Sequence, residues 1–275
     1  MRRALILRRA YEIFSGRGAR FLGAAVAFYA LLSAAPLFVL VLEIVGAIFG
    51  RARAEDALWQ GLGEWLAPDG IATVRGLTER LDKLESGGSY LGVILVIYGS
   101  TRLFRAVRRA LNQLWGIDLE AVERKRASHV KYGIRYGGAV ALALFVAVLV
   151  AALVLVKSAF AAIATLSIRP PPTLLWMLDG IVSIGLAFVL FTVVFRFLPE
   201  TKVTLKEAAA SGVVSTILFA LGSELVTVYI GHKNVGDVYA GASAVVLAVV
   251  WVYYSAQVFF FGACIGAAMR EKQRG

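Results

Sequence analysis

Four ionisable residues interrupt runs that are otherwise apolar: Glu43, Lys157, Asp179 and Glu224. A charge held in hydrocarbon costs about 2.5–3.5 kcal/mol on insertion scales unless it is paired or wetted. Such residues therefore mark either an internal polar site or a snorkelling position near the interface. Three acids and one lysine at similar depth can pair with one another or line a polar cavity. Glu224 follows Ala208, Gly212, Thr216 and Ala220 at four-residue steps. Small residues mark contact faces between membrane helices, so the pattern predicts a Glu224 carboxylate turned into the bundle. Asp179, Ser183 and Ala187 form a shorter stripe of the same kind. Gly262 and Gly266 predict a further close approach.

The second chemical feature is cationic. Arg102, Arg105, Arg108 and Arg109 fall within two helical turns. At headgroup depth such a belt attracts anionic lipid. Leu103, Val107, Ala110, Leu111 and Leu114 keep helical spacing along the same segment. Arg105, Arg108, Arg109 and Asn112 are assigned to the opposite side.

Enzyme signatures are poor. There is no phosphate-cradling glycine loop, zinc ligand pair or serine elbow. Asp118, Glu120 and Glu123 stand among Arg124, Lys125, Arg126 and Lys131 and read as a solvated face. A two-metal nuclease needs several convergent carboxylates, and the sequence offers no such set. Cys264 is the single cysteine, and His129 and His232 are far apart. No metal, cofactor or catalytic residue is expected.

The elements that must position these residues are membrane helices. Hydrophobic residues make up 59% of the 275 and charged residues 17%, too apolar for an ordinary soluble domain. A helix needs roughly 20 mostly apolar residues to cross the hydrocarbon. The runs 21–49, 137–166, 173–195, 208–231 and 240–269 pass that test. Residues 87–115 predict one long helix whose first part crosses and whose basic part emerges, with a re-entrant half-helix as the rival reading. The expectation is an all-α membrane protein, one domain over residues 1–275, with six transmembrane helices. Pro36 predicts a kink in the first span.

Charge sets the orientation. With the N-terminus inside, 21 basic residues fall in cytoplasmic segments and 7 in outer ones. The positive-inside rule then places both termini in the cytoplasm. This split also accounts for the net charge of +11 without nucleic acid. Residues 102–136 form a basic cytoplasmic segment. Residues 50–86 form a long extracytoplasmic loop, where Ile71, Val74, Leu77, Leu81 and Leu84 predict amphipathic helices. Residues 1–20 predict a basic interfacial helix, with Ile6, Ala10, Ile13 and Phe14 as its membrane face.

Three segments together resemble the YihY/BrkB family of bacterial inner-membrane proteins, historically labelled ribonuclease BN-like. The first is the run from Gly23 through Phe28-Tyr29-Ala30-Leu31-Leu32-Ser33-Ala34-Ala35-Pro36 to Leu37. The second runs from Arg102 to Gly116. The third is Trp251-Val252-Tyr253-Tyr254-Ser255 followed by Phe261-Gly262-Ala263. The resemblance implies six transmembrane helices in a bacterial cytoplasmic membrane. It implies no settled activity and carries over no catalytic residues; members are connected with serum resistance and, in one branch, with lipid or lipopolysaccharide export. The leading expectation is transport or handling of an anionic envelope lipid. A scaffold for envelope assembly and a membrane-bound ribonuclease are the alternatives, the last disfavoured. Anionic headgroups at the cytoplasmic face are the expected partners; nucleic acid is not, and the oligomeric state is left open.

Overall fold

The computed structural model describes residues 2–32, 90–118, 172–232 and 243–274, with positions 46, 50–52, 55, 56, 59, 124, 145 and 148. Among these residues six helices have defined bounds and no strand occurs. They are α1 (Arg2–Gly16), α2 (Ala19–Leu32), α3 (Tyr90–Leu114), α4 (Pro172–Phe197), α5 (Leu205–His232) and α6 (Ser243–Arg274).

Local chemistry explains the boundaries. Pro172 opens α4, where its missing N–H forfeits no intrahelical bond. A capping box opens α5. The Thr204 backbone nitrogen donates to Glu207 Oε2 at 2.7 Å, and the Glu207 nitrogen donates to Thr204 Oγ1 at 3.3 Å. Two orphan donors are thereby satisfied reciprocally. α3 stops at a Schellman turn. Ile117 N donates to Asn112 O and Gly116 N to Gln113 O, and Gly116 takes a φ of 67°.

α4, α5 and α6 each contain a stretch long and apolar enough to cross a bilayer: Gly180–Phe197, Leu205–Leu225 and Ala248–Lys272. They follow the predicted spans at 173–195, 208–231 and 240–269 within a few residues. α3 is one uninterrupted helix, as its spacing predicts, but it is not among the three crossing candidates. The run 21–49 is described chiefly in α2. Pro36, the loop 60–86 and most of 137–166 lie outside the described residues.

α5 packs between α4 and α6. Helix association in lipid relies on close backbone approach, since lipid tails are as apolar as the side chains. Gly262 and Gly266 supply that approach on α6. A Cβ at Gly262 would collide with the Ser215 hydroxyl and the Ser211 carbonyl oxygen, and one at Gly266 with the Ser211 hydroxyl. On the other side of α5, a Cβ at Gly212 would strike the Thr192 hydroxyl of α4. Phe195 and Phe259 stack with centroids 4.8 Å apart and tie α4 to α6.

α1 and α2 run antiparallel to α6, because their partners on α6 descend in number. Arg9 meets Glu271, Phe14 packs edge-on against Phe261, and Gln257 donates to the Arg20 carbonyl. Gly18, at φ 71°, makes the break between α1 and α2. At 1.5 Å per residue, the 32 residues of α6 extend about 48 Å, well beyond a hydrocarbon core of about 30 Å. α1 lies along the C-terminal part of α6. Its face of Ala10, Ile13, Ile6 and Phe14, predicted to meet the membrane, packs into the protein core instead. The periodicity located the apolar face correctly; the apolar surface that covers it is α6.

Candidate functional site at the base of the bundle

At the base, the end of the bundle that holds Arg9 and Glu271, described polar side chains of α1, α3 and α6 meet. Arg17 stands in the α1–α2 turn. Its Nη2 donates to Glu271 Oε1 at 2.7 Å and its Nη1 donates to the Leu114 carbonyl at the end of α3. Gln113 Nε2 returns a bond to the Arg17 carbonyl at 3.1 Å. Gly116 leaves room for the guanidinium, since a Cβ there would lie 3.3 Å from Arg17 Nη2. The second oxygen of Glu271 receives Arg9 Nε at 2.8 Å. Arg9 also bonds Glu12, and that bond holds the Glu12 carboxyl below its ordinary value. Arg270 lies over the Trp115 ring, 5.8 Å from its centroid. One carboxylate thus ties α6 to α1 and, through Arg17, to α3.

A second cluster joins α3 to the α4–α5 connection. Arg108 pairs with Glu200, and both side chains are largely buried. Asn112 is fully buried. Its Nδ2 donates to the Arg108 carbonyl at 2.9 Å, and its Oδ1 accepts from the Glu200 nitrogen at 2.7 Å. Helical spacing alone groups Arg108 and Asn112 with the outward polar residues; the structure turns both inward. An acid ninety-two residues away in sequence supplies the reason, and periodicity carries no signal for it.

The remaining arginines of the belt separate from Arg108. Arg102, Arg105 and Arg109 recur at i, i+3 and i+7 and share one side of α3. Arg102 and Arg109 are exposed and Arg105 is half-buried. Opposite them, Phe104, Leu111 and Leu114 are buried.

The intramembrane charges come out differently. Glu224 is exposed, beside Leu221 and Leu225. Ala208, Gly212 and Thr216 are buried as expected, so the predicted contact stripe exists, but Glu224 is not on it. At 3.6 residues per turn each four-residue step drifts by about 40°, so sixteen residues carry Glu224 about 160° from Ala208. Glu43, Lys157 and the Asp179 side chain lie outside the described residues, as does Pro36. Of the four charges, only Glu224 has a described side chain. Among the described residues no three His, Cys, Asp or Glu side chains gather as metal ligands would.

Two further buried polar features carry a signal legible in the sequence. Thr204-Leu205-Lys206-Glu207 is a capping-box pattern, and Glu207, only 2% exposed, closes it. Glu207, Ser211 and Ser215 also repeat every four residues along α5, and all three are buried.

Comparison with known proteins fits this helical, polar-based architecture. The family described as Virulence factor BrkB matches residues 10–275. The chain belongs to the BrkB family. Its relatives include a "UPF0761 membrane protein" of Coxiella burnetii, 24% identical over 277 residues, covering 96% of this chain and 92% of the relative. A protein of the same description from Verminephrobacter eiseniae is 26% identical over 87% of this chain and 56% of its own length. One from Halorhodospira halophila is 23% identical over 89% of this chain and 52% of its own. The chain thus spans about half the length of these last two relatives. No solved structure matches it. Within the BrkB family, then, this is a helical membrane protein.

Proposed function

We propose that this BrkB-family protein handles an anionic amphiphile, an envelope lipid or a lipid-linked molecule, at the base of its bundle. In this reading the chain crosses a bacterial inner membrane six times, and the base faces the cytoplasm. One observation carries the proposal: Arg102, Arg105 and Arg109 share a side of α3, whereas Arg108 is turned inward to Glu200. Guanidinium forks match the oxygens of phosphate and carboxylate headgroups. The 21-to-7 split of basic residues that the six-span topology gives supports this orientation.

The test uses the full chain purified in mild detergent, with its retained lipids identified by mass spectrometry. Anionic lipid should be enriched over the membrane of the producing cells. The triple change Arg102→Gln, Arg105→Gln, Arg109→Gln should abolish the enrichment while leaving the protein folded. Retained lipid that mirrors the bulk membrane, or enrichment untouched by the triple change, overturns the proposal.

A further inference from the structure

The acids between α1 and α6 are saturated. Glu271 receives Arg17 on one oxygen and Arg9 on the other. Glu12 receives Arg8 at 3.2 Å on one oxygen and Arg9 at 3.0 Å on the other. The cations are not. A guanidinium carries five N–H donors. Arg9 commits its Nε and one Nη1 donor to these acids, and its Nη2 has no partner among the described residues. Lys272, exposed near the end of α6, has no ion pair among them either. Arg8, Arg9, Arg17 and Lys272 thus stand against two carboxylates.

These groups edge a groove. Leu5, Ile6 and Arg9 of α1 and Ala268, Glu271 and Lys272 of α6 line it, and its volume is about 370 Å³. Sites for small ligands run from about 300 to 1,000 Å³. Leu5, Ile6 and Ala268 give the groove an apolar floor, and Leu5 is 57% exposed beside the two cations. Lys272 ends the stretch Ala248–Lys272, which is long and apolar enough to cross a bilayer. That puts the cations where hydrocarbon gives way to headgroups, the depth that lysine and arginine side chains favour.

We propose that this groove binds one anionic lipid. Its headgroup oxygens meet the Lys272 ammonium and the Nη2 of Arg9, and an acyl chain lies along Leu5, Ile6 and Ala268. The apolar floor takes any lipid chain; the two cationic donors select a lipid of negative charge. A soluble anion would leave the floor uncovered, so the occupant is an amphiphile. The site rests on the lipid-handling reading for its class of ligand, but it shares no residue with Arg102, Arg105 and Arg109.

A reporter in the groove tests the site. Leu5→Cys in the full chain is labelled with bimane, Cys264 being buried. The labelled protein is placed in phosphatidylcholine nanodiscs doped with brominated-chain phosphatidylglycerol or, at the same mole fraction, brominated-chain phosphatidylcholine. Quenching by the anionic lipid should be at least about twofold the stronger. Lys272→Gln, an exposed change that leaves the fold intact, should at least halve the difference. The triple change Arg102→Gln, Arg105→Gln, Arg109→Gln should leave it in place, even if that change also proves silent on retained lipid. Equal quenching by the two lipids, or a difference that survives Lys272→Gln, overturns the site. A difference lost only in the triple variant overturns it too, while upholding the reading at α3.

Discussion

Glu200 is fixed from two sides by one helix: Arg108 pairs with its carboxylate, and Asn112, one turn further along α3, accepts from its backbone nitrogen. Removing one partner of a buried pair strands the other charge and costs about 3–5 kcal/mol. Some exposure remains here, so the lower end of that range applies. Arg108→Met should therefore lower the unfolding temperature in detergent, whereas Arg109→Met on the exposed side should leave it within error. Equal responses from the two variants would show that Arg108 does not differ from its neighbours.

The capping box makes a narrower claim. Thr204→Ala removes the hydroxyl that accepts from the Glu207 nitrogen and should cost about 0.5–2 kcal/mol. Thr204→Ser keeps the acceptor and should be close to neutral. Thermal unfolding of the two variants side by side decides the point, and a Ser variant as weak as the Ala variant counts against the cap.

Glycines should divide by surroundings. Gly262→Val places atoms where Ser215 and the Ser211 carbonyl already stand, whereas a Cβ at Gly185 meets nothing within 4 Å. The first change should force α5 and α6 apart and sharply reduce recovery of folded protein. Gly185→Ala should be neutral or mildly stabilising. Size-exclusion profiles of the two variants provide the check.

Acid should loosen α1. Because Arg9 depresses the folded-state value of Glu12, the contribution of the pair is fully present above the ordinary value of 4.5. It is lost as pH falls through the lower folded-state value. Hydrogen exchange in α1, corrected for intrinsic rates, should be flat from about pH 8 to 5.5 and rise only below the ordinary carboxylate range. The rise should be small, because an exposed pair contributes little.

Much of the architecture was readable because helix length and apolarity are properties of the chain itself. The limits of α4, α5 and α6 and the close approach at Gly262 and Gly266 follow from run length and residue size. The base was less readable. Which acid Arg108 meets, and which surface covers Ala10 and Ile13, depend on elements roughly ninety to two hundred and sixty residues away. Glu224 was misplaced for a different reason: a four-residue stripe drifts around the helix, and the drift becomes decisive over sixteen residues. A capping box at Thr204 and Glu207, by contrast, needed only four adjacent residues.

The Arg9–Glu271 contact joins partners 262 positions apart, which orders events during synthesis. α1 is made before α6 and stays without its partner until Glu271 exists, 262 positions after Arg9. Until then Ile6, Ala10 and Ile13 form an uncovered apolar strip beside arginines, suited to resting on a membrane surface. Closure of the Glu271 bracket is therefore a late event: a chain interrupted before α6 cannot make it.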